Sequence, residues 1–283
     1  MNNKRIRSRS FLGRVLTNQT AAVGLALISA VVIIGSLAPL LYPQGPYSIH
    51  LTEQYEKPSF AHPFGTDELG RDVLGRIVWA IRITLIIGIV AAIISAFVGT
   101  VLGGISGYFG GWVDHAIMRF VDLMLSVPMF FLVLLVILIF GGGIYTVMLV
   151  IGLTIWPNGA RLIRTQFLSL RELDFVKAAR VAGSSDFKII FKEILPNAIF
   201  PVIVDSSLRI GTAILTEAGL SFLGAGDPSS LSLGWMLNEA IPTFRSAWWT
   251  GVYPGLILAI ILVSFNLIGD GLNDALNVRL TQT

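Results

Sequence analysis

Ile81 to Ser106 reads IRITLIIGIVAAIISAFVGTVLGGIS, a run long enough to cross a bilayer that carries a single charge, Arg82. A spanning helix needs about 20 apolar residues, because lipid offers no partner for backbone N–H and C=O groups and a helix satisfies them within one segment. Ser95, Gly99 and Gly103 recur at four-residue spacing and Gly107 continues the series, so small residues line one helical face where a second backbone can approach closely. The remainder of the chain has the same character. Of its 283 residues 54% are hydrophobic and only 13% charged, with a mean hydropathy of +0.77. Soluble domains carry about 25% charge. Disorder, collagen and an independently folded nucleotide-binding domain are thereby excluded, and an all-α polytopic membrane protein is expected.

Working outward, apolar runs bounded by charge or by Gly/Pro clusters predict six transmembrane helices: Ala21 to Leu41, Ile81 to Ser106, Ile117 to Phe140, Ile144 to Leu162, Ala198 to Leu223 and Val252 to Leu272. The first is too long for a signal-peptide core and lacks a small-x-small cleavage site, so it reads as an uncleaved span. The expected division is a cytoplasmic N-terminal segment (1–20), a first transmembrane helix (21–41), an external loop (42–80) and a core of five further helices (81–283) with a cytoplasmic loop at 163–197. Lys4, Arg5, Arg7, Arg9 and Arg14 precede the first span, and Arg161, Arg164, Arg171, Lys177, Arg180, Lys188 and Lys192 gather between the fourth and fifth. The opposite side holds only Lys57, Arg71, Arg76 and Arg245. Positive residues stay inside, so both termini are expected in the cytoplasm. The same distribution explains the net charge of +3 without invoking nucleic acid.

The chain has no cysteine, which excludes disulfides, thiolate metal sites and a cysteine nucleophile. Neither a phosphate-cradling G-x-x-x-x-G-K-[ST] nor H-E-x-x-H or G-x-S-x-G occurs. His50, His62 and His115 lack the mutual spacing of metal ligands, so no catalytic or metal site is expected. Charges within spans are costly and face protein or water. The fifth span carries Asp205, Arg209 and Glu217. Asp205 and Arg209, four residues apart, share a helical face and can neutralise each other; Glu217 needs a different partner. These charges either border a hydrated pathway or pin helix packing. Asp122 and Asp270 are expected at the interface, as are Trp235, Trp248 and Trp249 in an aromatic belt. Gly141, Gly142 and Gly143 form a tight external turn.

Ser169 to Ile199 reads SLRELDFVKAARVAGSSDFKIIFKEILPNAI. Leu173 to Ala182 is helix-competent, Ala178 and Ala179 permit close backbone approach, and Gly183 permits a turn with positive φ. Asp186 to Leu195 predicts a second amphipathic helix, with Pro196 suited to the first turn of the fifth span. Spacing alone leaves two readings open, a docking element and a pair of membrane-surface helices.

Ala178, Ala179, Gly183 and Ile194-Leu195-Pro196 resemble the EAA loop of ABC importer permeases, which in that family couples to the ATPase subunit. HPFGTDELGRDVLGR (His62 to Arg76), GYFGGWVD (Gly107 to Asp114), AILTEAGLSFLGAG (Ala213 to Gly226), LGWMLNEA (Leu233 to Ala240) and FNLIGDGLNDALNVRL (Phe265 to Leu280) resemble the second permease subunit of the oligopeptide/dipeptide/nickel transport family. The resemblance implies a type I ABC importer permease in the cytoplasmic (inner) membrane of a prokaryote. It would be a non-catalytic subunit paired as a heterodimer with a homologous second permease, served by two ABC ATPase subunits and an external solute-binding protein. No cofactor is expected on this chain, since ATP and Mg would be bound by the ATPases. Cargo would be di- or oligopeptides, with nickel, glutathione and oligosaccharide as the family's alternatives, moved by alternating access.

The implied coupling loop comprises Glu172, Asp174, Phe175, Lys177, Ala178, Ala179, Gly183, Ile194, Leu195 and Pro196. Two features depart from the family pattern: Lys177 replaces the motif's opening glutamate, and the stretch from Gly183 to Ile-Leu-Pro is one residue longer. Glu172 and Asp174 stand nearby as substitute carboxylates. By resemblance, Asp67, Glu68, Arg71 and Asp72 lie near the outer mouth, either to dock the binding protein or to form a local ion-pair network capping the second span. An autonomous secondary transporter, with Asp205 and Glu217 binding coupling ions, is the competing class, and it gives no reason for the cytoplasmic motif.

Overall fold

The structure, a computed structural model, describes residues 18–280. The basic residues Lys4 to Arg14 lie outside the described residues. The chain is built from helices α1 (Gln19–Ser36), α2 (Ala38–Leu41), α3 (Val73–Phe109), α4 (Gly111–Ser126), α5 (Met129–Phe140), α6 (Ile144–Leu170), α7 (Asp174–Val181), α8 (Asp186–Phe222), α9 (Leu233–Ala240) and α10 (Trp249–Leu280). Among the described residues there is no strand, only an isolated bridge between Thr66 and Asp72. Five helices, α1, α3, α6, α8 and α10, are long and apolar enough to cross a membrane, and α4 with α5 makes a sixth if that bent pair is one span.

The expected continuous span Ile117 to Phe140 is corrected: α4 and α5 meet at an angle of 84°. Pro128 is the cause. It offers no N–H, and its ring drives the preceding Val127 out of helical geometry to φ −95°, ψ 128°. Other boundaries also move. Asp72 accepts a hydrogen bond from the Gly75 N–H at 2.7 Å, so α3 begins at Val73 and the external segment ends eight residues before the apolar run suggests. Helix α6 continues past Leu162 to Leu170, which puts Arg161 and Arg164 on a helix, paired with Asp122 and Asp114 of α4 at 2.5 Å each. Helix α8 is continuous from Asp186 through a π-turn at Ile189–Ile194, so the short amphipathic helix runs into the fifth span without a break, and Pro196 lies in the first α-helical turn after the π-turn, as expected. The wide turn accommodates a proline that has no N–H to donate.

The small-residue face of α3 packs on α6. A Cβ on Gly99 would lie 3.2 Å from the Trp156 carbonyl, one on Gly107 2.6 Å from the Arg164 carbonyl, and one on Gly103 would overlap the Ala160 carbonyl. Gly152 of α6 reciprocates against the Ala91 carbonyl of α3 at 2.9 Å. Lipid tails are as apolar as leucine, so such close contact supplies the dispersion energy that solvent exclusion cannot.

Apolar side chains divide into clusters. One holds Ile77, Ile81, Ile214, Leu233 and Trp249; a second Ile87, Val133, Ile151 and Leu220; a third Phe167, Val176, Ile189 and Ile194. Trp249 is therefore no member of an aromatic belt. It is 2% exposed, and its indole N–H donates to the Thr66 carbonyl at 3.0 Å. The external segment folds down onto α10 here, with Phe64 stacked on Tyr253 at 4.1 Å. Trp248 remains exposed.

Asp227 ties the start of α6 to the segment that follows α8. Its carboxylate accepts from the Ile144 N–H at 3.0 Å and from the Ser229 and Ser230 side chains. Burial alone would raise its pKa; these hydrogen bonds outweigh it and hold the carboxyl below its ordinary value.

Two outcomes are expected. Gly103→Ala forces α3 off α6 and lowers stability in detergent by about 1 to 3 kcal/mol, whereas Val101→Ala on the exposed face leaves thermal unfolding unchanged. Asp227→Asn lowers the Tm at neutral pH. Because the folded pKa is depressed, the carboxylate's contribution is present above its ordinary value of 3.8 and is lost as pH falls through the folded one. The Tm gap between variant and native chain therefore narrows in acid, which thermal scans against pH read directly.

Candidate functional site

The end of the molecule expected in the cytoplasm is assembled around α7. Where α6 ends, the Arg171 guanidinium donates to the carbonyls of Gly107 and Tyr108 at 3.0 and 3.1 Å, capping the last turn of α3. Helix α7 follows with Asp174 in its first turn and Arg180 in its last, both complementing the helix dipole. It closes in a Schellman motif: the Ser184 N–H reaches the Ala179 carbonyl at 3.1 Å and the Gly183 N–H reaches that of Arg180 at 3.0 Å. Gly183 has φ +76°, which glycine adopts without strain. Ser185 then caps α8 through the Lys188 N–H, and the Tyr108 hydroxyl donates to Asp186 at 2.5 Å.

One side chain pins α7 to the body. Val176 is 0% exposed, packed among Ile163, Phe167, Ile189 and Ile194. Other side chains of α7 are open: Val181 is 90% exposed and Phe175 and Ala178 are exposed, as are Phe187 and Phe191 of α8. Phe187 and Phe191 touch at 4.4 Å between ring centroids. Lys177 meets Glu172 at 4.0 Å, and Glu172 also meets Arg171 at 3.2 Å; Asp174 is exposed. The Ile194-Leu195-Pro196 end does not share this surface. Ile194 is fully buried and Leu195 half-buried, so these two anchor the loop, while Pro196 is exposed one turn further into α8.

The charges of α8 do not converge. Asp205 and Arg209 form an ion pair at 2.5 Å, and Arg209 also donates to the Ile155 carbonyl of α6. Gly159 makes room, since a Cβ there would lie 3.2 Å from the Asp205 carboxylate. Glu217 sits apart, buried nearer the C-terminal end of α8 and accepting from Ser221 at 2.6 Å.

Of the external residues, Asp67 is a buried hub. It accepts from the Arg71 Nε at 2.6 Å, from the Arg76 guanidinium at 2.7 Å and from the Leu69 and Arg71 N–H groups. Arg76 continues to Glu239 of α9 at 2.6 Å. Asp72 caps α3 and pairs with His62 at 2.9 Å, and the cavity wall beside it includes Tyr42, whose hydroxyl is pushed up to about 12 by burial and then by the charge of Asp72. Glu68 alone of the four points outward and is exposed. Arg76 and Glu239 complete this network, and sequence reasoning did not single them out. Their signal was an arginine at the head of an apolar run and a lone glutamate in the segment LGWMLNEAIP. Among the described residues no three His, Asp or Glu side chains gather as metal ligands would.

Comparison with known proteins bears on this geometry. Residues 99–282 match the family model described as binding-protein-dependent transport system inner membrane component. The dipeptide transport system permease protein DppC of Alkalihalophilus pseudofirmus is 38% identical over 93% of this chain and 87% of its own. The oligopeptide transport system permease protein OppC of Bacillus subtilis is 35% identical over 94% and 88%, and the glutathione transport system permease protein GsiD of Pectobacterium atrosepticum 36% over 96% and 91%. Among solved structures, an inward-facing MetNI methionine ABC transporter chain aligns with a TM-score of 0.54 at 18% identity, covering 69% of this chain and 93% of that one. The fold is that of a type I ABC importer permease. By family model and by relatives alike, the chain belongs to the binding-protein-dependent transport system inner membrane components.

Proposed function

We propose that this chain is one permease subunit of an ATP-driven importer of short peptides, and that α7 is the helix through which the ATPase moves it. The carrying observation is the two-sided character of α7: Val176 is locked into the body while Val181 stands 90% exposed and Phe175 of the same helix is exposed as well. A monomer gains nothing from an apolar cytoplasmic knob, and a partner groove would cover it. The relatives' names support the cargo class, since dipeptide, oligopeptide and glutathione carriers all move peptide-bonded molecules.

The complete importer in this reading contains a homologous second permease, two ATPases that bind ATP and Mg, an external solute-binding protein and surrounding lipid. This chain binds no cofactor and catalyses nothing. It sits in the cytoplasmic membrane of a prokaryote with both termini inside. When the ATPase dimer closes, α7 is displaced, and Val176, the Schellman turn and the Arg171 cap pass that displacement to α6, α8 and α3 as rigid bodies. At the position that the family fills with an acid, Lys177 lies 4.0 Å from the Glu172 carboxylate, which it shares with Arg171.

Outside, Glu68 is the group available to a docking protein, because Asp67, Arg71 and Asp72 are committed to their own network.

Purified from its native membrane in mild detergent, the chain carrying Val181→Glu or Gly183→Pro is expected to retain the second permease and lose the ATPases; ATPases retained at native stoichiometry by both variants would refute the coupling role. Glu68→Lys is expected to leave basal ATP hydrolysis intact and weaken its stimulation by the loaded binding protein severalfold, and unchanged stimulation would remove Glu68 from the docking surface.

A further inference from the structure

The break between α4 and α5 opens on a cavity of about 360 Å³, enough for roughly ten waters. Its walls come from three elements: Val127, Pro128 and Met129 at the break, Thr154 and Asn158 near the middle of α6, and Asp205, Arg209 and Thr212 of α8. Irregular backbone at membrane depth persists only where protein covers it or where it lines water, and polar side chains there carry the same requirement. The α5 helix begins at this break.

The Asp205–Arg209 pair has two sides. Arg209 is nearly buried and committed to Asp205 and to the Ile155 carbonyl, against Gly159. Packing explains that side. The Asp205 carboxylate is 26% exposed and lines the cavity, with acceptor capacity left over after Arg209. Asn158 is exposed, and no side-chain hydrogen bond satisfies its amide among the described residues. A pair needed only to join α6 to α8 requires neither an open carboxylate nor a free amide beside it.

We infer that this cavity is a mid-membrane subsite for the cargo peptide, with Asp205 receiving its ammonium terminus and Asn158, Thr154 and Thr212 its amide groups. Arg209 is a positioning residue that holds the carboxylate in place. The inference rests on the importer reading above and adds to it the place where this chain touches cargo.

Because the chain has no cysteine, Asn158→Cys and Thr212→Cys introduce single reporters. In proteoliposomes of the whole transporter, the rate of modification by a charged methanethiosulfonate is measured at rest and during ATP-driven uptake of the dipeptide Ala-Phe. Ile93→Cys, on the exposed apolar face of α3, is the control. The expected results are modification at 158 and 212 but not at 93, slowing severalfold when Ala-Phe is transported, and loss of uptake after modification. N-acetyl-Ala-Phe, supplied at a concentration that stimulates ATP hydrolysis equally, is expected to protect severalfold less. Unreactive cysteines, or modification without loss of uptake, would overturn the subsite while leaving the importer reading intact. Equal protection by both peptides would overturn the role of Asp205. Absence of Ala-Phe uptake by the unsubstituted transporter would instead overturn the reading on which the subsite rests.

Discussion

The contact between α3 and α6 through Gly99, Gly103, Gly107 and Gly152 is the constraint on which the remaining structure depends. Side chains on both helices would hold the backbones apart; their absence lets each helix lie against the other's carbonyls. Fixing α6 this closely sets three things at once. Its N-terminal end meets Asp227, its middle faces the α4–α5 break and the Asp205–Arg209 pair, and its C-terminal end carries the chain into α7. A displacement applied at α7 is therefore delivered along a helix that cannot slip relative to its neighbour.

Lipid then decides what the polar residues do. Asp114 illustrates the rule: at the start of α4 it receives both the Arg164 guanidinium and the Ser106 hydroxyl, so a carboxylate near the membrane becomes a joint between α3, α4 and α6. Asp67 does the same outside, gathering Arg71 and Arg76 and, through Arg76, Glu239 of α9. Removing one member of such a buried group strands the others and costs about 3 to 5 kcal/mol. Against that background Asp205 differs, since its carboxylate is paired and still open to a cavity.

Local features were legible in the sequence. The four-residue spacing of small residues on α3, the helix at 174–181 and the positive φ of Gly183 all follow from properties of the residues themselves. Features made by distant partners were not. The run from Ile117 to Phe140 is long enough to span, with charges only at Arg119 and Asp122 near its start, and the consequence of Pro128 depends on whether neighbouring helices straighten or accept a bend. Trp249 resembles an interface residue until the external segment brings the Thr66 carbonyl to its indole. Ile194 belongs to a recognisable motif, yet its burial beside Phe167 and Val176 shows that motif membership and surface contact are separate properties. The Arg76–Glu239 link joins residues far apart in the chain, and single residues carry no mark of such pairing.

The central claim is that this chain moves peptide only as part of an ATP-driven assembly. It is tested most directly by peptide accumulation in proteoliposomes, comparing the complete transporter, the transporter without this chain, and this chain alone. The account predicts accumulation against a gradient only with the complete set, ATP inside the reach of the ATPases and loaded binding protein on the other face. Peptide flux through this chain alone, independent of ATP, would contradict it.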